Sequence, residues 1–122
     1  MHVVTEADAR TTRTAAAAMF GLAAPSQGST ELCTWRVEMA ADNETPVHTI
    51  DREQVWMPIS GAFEVTIGDE TETAKAGQAV IVPGGATRRL KALEDTQALV
   101  AMPVGGQAVV PDGSKVTLPW AV

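Results

Sequence analysis

Short stretches in which apolar and polar residues alternate run along most of the chain, and they predict β-strands. A period of two is the signature of a strand with one buried and one exposed face. Residues 31–39 and 62–67 follow this pattern, while residues 78–83 and 96–104 are apolar runs short enough to be buried strands. In residues 31–39 the apolar face consists of Cys33, Trp35, Val37 and Met39.

Turn-forming residues separate these segments. Residues 42–43 (Asp-Asn) lie in a polar loop, and residues 68–70 (Gly-Asp-Glu) suit a hairpin turn. Such signals recur about every ten residues, which is the spacing of a β-sandwich or barrel. Residues 6–20 suit a helix and an additional edge strand equally well. We therefore predict an all-β domain over residues 31–122, preceded by an N-terminal extension or edge strand over residues 1–30.

Composition and charge exclude several classes of partner. The chain has 122 residues and a net charge of −6, whereas a nucleic-acid surface needs a basic patch. Cys33 is the only cysteine, so an internal disulfide is impossible, and a reducing compartment suits the chain. The apolar stretch over residues 15–24 is too short to span a bilayer, which needs about 20 apolar residues. These features predict a cytoplasmic protein that contacts neither nucleic acid nor membrane.

The spacing of residues 42–61 resembles the first of the two motifs of the cupin superfamily. That motif runs glycine, five residues, His-x-His, three or four residues, glutamate, six residues and glycine. In this chain Asp42 stands for the opening glycine, His48 matches the first histidine and Gly61 matches the closing glycine. Ile50 replaces the second histidine and Gln54 replaces the glutamate.

Residues 77–92 resemble the second cupin motif. Gly77, Pro83 and Gly85 match its turn-forming positions, whereas Arg88 replaces the ligand histidine and Ala92 replaces the final asparagine. The resemblance implies a jelly-roll β-barrel of the cupin type. It also implies that the turns of the family are kept while three of its four metal-binding positions have changed.

The changed positions predict that no metal cofactor is bound. Isoleucine has no lone pair and arginine has no acceptor atom, so Ile50 and Arg88 cannot be ligands. His48 and Gln54 remain, fewer than the three protein ligands of an ordinary catalytic zinc site. A divalent transition metal at His48 and Gln54 with an unidentified third ligand is the alternative.

Strand alternation and the cupin register place a set of side chains inside the barrel: His48, Ile50, Gln54, Trp56, Arg88 and Leu90. Two interpretations of Arg88 remain open. It grips a carboxylate, phosphate or enolate oxygen of a ligand, or it is satisfied by Glu38, Glu53 or Glu64 or by reaching the barrel mouth. His48 is a candidate general acid or base, and equally a hydrogen-bonded core histidine.

These residues support a functional hypothesis with two rivals. The leading hypothesis is a metal-independent barrel that binds a small, partly apolar molecule with an anionic or carbonyl oxygen. The resemblance implies isomerase, cyclase or lyase chemistry in bacterial secondary metabolism, with His48 in proton transfer and Arg88 as an oxyanion clamp. The predicted substrate-binding residues are Gln54, Trp56, Ile50, Leu90 and Met102. The rivals are a non-catalytic binding or sensing module and a metal-dependent cupin enzyme with a non-standard ligand set.

The same resemblance predicts a homodimer. An N-terminal strand from residues 1–24, exchanged between two copies, would cover an exposed sheet edge.

Overall fold

Strands account for nearly all of the regular structure in the computed structural model, which describes residues 1–122. Twelve strands alternate with turns and three short 3₁₀ helices, and there is no α-helix. The strands are β1 (Thr11–Arg13), β2 (Ala18–Gly21), β3 (Leu32–Met39), β4 (His48–Ile50), β5 (Gln54–Ser60), β6 (Ala62–Ile67), β7 (Glu70–Lys75), β8 (Val80–Val82), β9 (Thr87–Ala92), β10 (Thr96–Pro103), β11 (Gln107–Val109) and β12 (Lys115–Thr117). The 3₁₀ helices are Asp8–Arg10, Pro25–Gln27 and Pro119–Ala121, and none is long or apolar enough to cross a bilayer.

The strands form two antiparallel sheets of six strands each. The first sheet has the order β1-β2-β3-β10-β5-β8, and the second has the order β12-β11-β4-β9-β6-β7. Some neighbours in each sheet are far apart in sequence, as in the pairing of β10 with β3 in the first and of β4 with β9 in the second. The inner faces meet in one hydrophobic core, so the predicted all-β, jelly-roll barrel is confirmed.

Where apolar and polar residues alternate in the sequence, buried and more exposed side chains alternate in the structure. On β3 the four inward residues, Cys33, Trp35, Val37 and Met39, are buried, whereas the residues between them are partly exposed. Phe63 and Val65 on β6 behave in the same way. In these strands every second side chain is therefore buried and the side chains between them lie nearer the surface. The hairpin predicted around residues 68–70 joins β6 to β7.

Pro58 lies at an irregularity in β5. The register between β5 and β10 shifts after the pair Gln97–Ser60, so that Ala98 pairs with Pro58 and Ile59 is the extra residue. Proline cannot donate to the ladder, and a bulge is one of the few places where a sheet tolerates it. The regular register before the bulge keeps Gln54 and Trp56 turned into the barrel.

The N-terminal residues form a short 3₁₀ turn and then a hairpin at the edge of the first sheet, not an α-helix. β1 pairs with β2, and β2 pairs with β3 of the same chain. Glu6 anchors the residues before the hairpin, because its two carboxylate oxygens accept bonds of 2.7 and 2.8 Å from Arg36. The guanidinium of Arg36 also lies 4.0 Å from the ring centre of Phe20, a cation–π contact. Exchange of this segment within a homodimer stays a prediction.

Gly61 is the corner at which the chain leaves the first sheet and enters the second, between β5 and β6. Its φ is +78°, which side chains rarely adopt, and a Cβ at this position would lie 2.8 Å from the Cα of Thr96. Gly77 also has a positive φ, +89°, but a Cβ there would meet nothing within 4 Å. A comparison of substitutions at the two glycines therefore separates the cost of a positive φ from the cost of a steric clash.

We expect Gly61→Ala to lower the free energy of unfolding by clearly more than Gly77→Ala. Both substitutions place a side chain at positive φ, which costs about 1–2 kcal/mol, but only Gly61→Ala also forces the backbone of Thr96 to move. Urea unfolding of both variants measures the difference. Equal losses would show that close contact with Thr96 does not constrain this corner.

Candidate functional site

A cavity of about 310 Å³ lies inside the barrel, bounded by inner-face residues of β3, β4 and β5 and by residues near both termini. Eleven of its sixteen lining residues are apolar, and they include all three tryptophans of the chain, Trp35, Trp56 and Trp120. A larger groove of about 520 Å³, with Arg13, Glu38 and Asp95 among its lining residues, contains none of the seven catalytic or substrate-binding residues predicted from the sequence. The inner cavity is therefore the candidate site.

His48 opens β4 and forms part of the cavity wall. Its Nδ1 lies 2.7 Å from the carbonyl oxygen of Pro46. A carbonyl can only accept, so Nδ1 carries the hydrogen and the lone pair of the neutral ring is on Nε2. Burial holds the pKa of His48 below its ordinary value of 6.5, against the Pro46 bond that raises it, and the charge of Arg88 lowers it further. His48 is thus a neutral base at pH 7.

Gln54 and Trp56 are neighbours on the inner face of β5, and both line the cavity. The Oε1 atom of Gln54 accepts two bonds of 3.1 Å, one from the indole Nε1 of Trp56 and one from Nη1 of Arg88. Its Nε2 atom donates to the sulfur of Met102 at 3.5 Å. Two donors on one oxygen fix the amide orientation, because the flipped amide would set its NH₂ group against both of them.

Arg88 is 1% exposed and has no carboxylate within 4.0 Å. Besides the bond to Gln54, its guanidinium donates to the backbone oxygens of Ala86 at 2.8 Å and Pro83 at 3.2 Å. Burial lowers the pKa of Arg88 to about 10, so the side chain is still a cation at neutral pH. The interpretations of Arg88 as an internal ion pair or as a side chain reaching the barrel mouth are therefore wrong. Glu38, one of the predicted partners, bonds to Arg36 instead.

Four of the seven site residues predicted from the sequence meet at the cavity: His48, Ile50, Gln54 and Trp56. Arg88, Leu90 and Met102 do not line it. Leu90 and Met102 are at most 1% exposed and belong to the hydrophobic core, where Leu90 pairs with Val65 across β9 and β6. Arg88 reaches the cavity only through Gln54.

Sequence reasoning missed the part of the wall that comes from the two ends of the chain. Leu118 and Trp120 close the cavity from the C-terminal side, and Ala16 and Ala17 close it from the turn between β1 and β2. Trp120 packs edge-on against Trp35, with ring centres 6.3 Å apart, and its indole Nε1 is buried without a hydrogen-bond partner. The only local signal was the indole of Trp120 itself, close to the C-terminal end of the sequence.

The residues at the family's metal positions do not fit a metal ion. His48 offers a single lone pair, on Nε2, and the oxygen of Gln54 already accepts from two N–H groups. The cation of Arg88 is bonded to the same oxygen and would repel a second cation. No group of three His, Cys, Asp or Glu residues in the structure is arranged to hold a metal.

Comparison with known proteins identifies the fold. The family model described as Cupin domain matches residues 35–105, which is more than half of the chain. No curated protein matches the sequence. Solved structures of similar shape are numerous, and at the identities below they are evidence for the fold alone.

Three of these structures illustrate the range of proteins on this fold. KdgF from Halomonas sp. has a TM-score of 0.68 at 17% identity, over 80% of this chain and 92% of that chain. A putative ethanolamine utilization protein from Salmonella typhimurium has a TM-score of 0.68 at 14% identity, over 84% and 94%. A variant of oxalate decarboxylase from Bacillus subtilis has a TM-score of 0.74 at 16% identity, over 84% of this chain and 29% of that chain.

The neutral state of His48 predicts how stability depends on pH. Because the pKa of His48 is lower in the folded chain than its ordinary value of 6.5, the unfolded chain binds the proton more tightly. The free energy of unfolding should therefore fall as the pH falls below about 6.5, down to the folded-state pKa. Urea unfolding between about pH 7.5 and about pH 5.5 should show this slope in the wild type and lose it in His48→Gln. The matched control is His2→Gln at the exposed N-terminus, which should keep it.

The donor set predicts the outcome of a metal titration. Calorimetric titration with Zn²⁺ should give no one-to-one complex, and His48→Ala should give the same isotherm as the wild type. A stoichiometric complex that disappears in His48→Ala would contradict this reading of the site.

Proposed function

This chain belongs to the cupin domain family, and from that premise we propose that its barrel binds a small, mainly apolar molecule carrying a carbonyl group, on which His48 moves a proton. The observation that carries the proposal is the cavity, whose wall is largely apolar and contains one acid–base group, His48. An apolar pocket with a few polar groups is the usual form of a small-molecule site.

The size and walls of the cavity favour a compound of about one ring. A volume of about 310 Å³ is at the lower end of the range for ligand pockets. The indoles of Trp35, Trp56 and Trp120 and the thioether of Met39 offer flat, polarisable surfaces. A planar ring therefore suits this cavity better than a sugar or a phosphate ester, whose hydroxyl or phosphate oxygens would lose water and find few partners.

The absence of charged residues from the wall favours a carbonyl over a carboxylate. No Asp, Glu, Lys or Arg is among the lining residues, and the cation of Arg88 is bonded behind Gln54. A carboxylate entering this space would give up its hydration without gaining an ion pair. Of the two ligand groups that the sequence suggested, an anionic oxygen and a carbonyl oxygen, we therefore propose the carbonyl.

A single base can catalyse a proton shift without any co-reactant. The Nε2 atom of His48 would take a proton from the carbon next to the carbonyl, and the C–H electron pair would move to give an enolate. In a compound with a C=C bond between the β and γ carbons, the imidazolium would then return the proton to the γ carbon and the double bond would move next to the carbonyl, so that atoms and electrons balance. A cyclase or lyase normally uses a second group to protonate an oxygen or a leaving group, and His48 is the only titratable residue in the wall. Among the classes implied by the resemblance, we therefore favour an isomerase.

A non-catalytic binding protein is the second candidate. The observation in its favour is the partner of His48, which is the neutral backbone oxygen of Pro46. A carboxylate in that place would stabilise the imidazolium that proton transfer creates, whereas a carbonyl does so less. In this case the cavity captures the same neutral compound and His48 only accepts a hydrogen bond from it.

A pair of matched probes tests both candidates. Acetophenone and benzoate share a ring and differ in charge, and we expect NMR titration to show saturable binding of acetophenone with shifts at Trp56, and no binding of benzoate. Ala17→Leu, which adds bulk to the cavity wall, should abolish acetophenone binding. Tight benzoate binding, or acetophenone binding that survives Ala17→Leu, would overturn the proposal.

Deuterium exchange separates catalysis from binding. In heavy water the methyl protons of bound acetophenone should exchange faster with the wild type than with His48→Gln, while both proteins bind the probe. Binding without any difference in exchange would favour the second candidate.

A further inference from the structure

We infer that Arg88 is a positioning residue, whose guanidinium holds the amide of Gln54 and, through it, the indole of Trp56 in the place where that indole forms the cavity wall. The effect of Arg88 on ligand binding rests on the proposed function, whereas the arrangement of Arg88, Gln54 and Trp56 is independent of it.

The guanidinium is itself held rigidly. Its Nε donates to Ala86 and its Nη2 donates to Pro83, two backbone oxygens of the turn between β8 and β9. That turn is fixed to β4, because the backbone N–H of Gly85 donates to the oxygen of Ile50 at 2.8 Å. Arginine presents five N–H donors in a planar fork, so two anchored bonds determine where the third, from Nη1, points.

The third bond decides the orientation of Gln54. The amide oxygen lies between Nη1 of Arg88 and Nε1 of Trp56, at 3.1 Å from each. Without Arg88 only the bond from Trp56 would favour this orientation. The sulfur of Met102, which accepts from the other end of the amide, is a weak acceptor and exerts little control.

Gln54 in turn holds Trp56. The indole N–H has this one acceptor, and the ring packs edge-on against Phe63, with centres 5.8 Å apart and an angle of 72° between the planes. Phe63 restricts the ring on one side, and the bond to Gln54 restricts its rotation on the other. Because the indole lines the cavity, the shape of the cavity depends on a cation that does not touch it.

The indole N–H resonances test this chain of contacts without any ligand. The chain has three tryptophans, and Trp56→Phe identifies the Trp56 signal. We expect Arg88→Met to shift that signal and speed its hydrogen exchange, while the Trp35 signal stays in place. Arg88→Lys should restore part of the change, because an ammonium group keeps the charge and one donor. The outward-facing neighbour on β9, Arg89→Met, should leave all three signals unchanged.

A double-mutant cycle with acetophenone tests the effect on binding. Arg88→Met should weaken binding about tenfold in the wild-type background and should have no further effect in Gln54→Met, where the link is already broken. An equal loss in both backgrounds would mean that Arg88 acts on the ligand directly and would overturn the inference.

The two experiments fail independently. If acetophenone does not bind, the proposed function fails, but the indole signals still decide the role of Arg88. If Arg88→Met does not fold, Gln54→Met and Arg88→Lys replace it, and both must move the Trp56 signal. An unmoved signal in those two variants overturns the inference.

Discussion

A hydrogen bond across the interior, from Arg88 to Gln54, joins the two sheets of this barrel at the candidate site. Arg88 is on β9 of the second sheet and Gln54 is on β5 of the first. Both side chains are buried, so losing either would leave the other with unmet polar atoms in a low-dielectric interior. The place of the Trp56 indole in the wall and the poor fit to a metal both depend on where this cation is held, and its charge adds to the burial that keeps the pKa of His48 low.

The fold was largely predictable because its determinants are local. Alternation in β3 and β6 gave the inward faces, and Gly61, Gly77 and Gly85 marked corners that all have positive φ in the structure. These glycines explain why the outline of a metal motif persists although three of its four ligand positions have changed. A corner that only glycine fits restricts its residue through the backbone, whereas a ligand position can change once its chemistry is no longer used.

The site was predictable only in part, because half of it is not local. His48, Ile50, Gln54 and Trp56 follow from strand alternation, but Ala17 and Trp120 reach the cavity through the closing of the two chain ends. The partners of Arg88 were equally hidden. They are backbone oxygens whose direction depends on the turn at Pro83–Ala86. Every residue has such an oxygen, so the residue types in the sequence do not indicate which ones accept from Arg88. The sequence offers carboxylates as candidate partners of Arg88, whereas in the structure its guanidinium donates to neutral carbonyl oxygens.

The placement of the three tryptophans has an optical consequence. The chain contains no tyrosine, and every one of its tryptophans lines the cavity. Nearly all of its near-ultraviolet absorption and emission therefore arises from the walls of that one space. The spectrum of this protein does not average over the molecule. It reports the local environment of the cavity, and an occupant should alter it without any label.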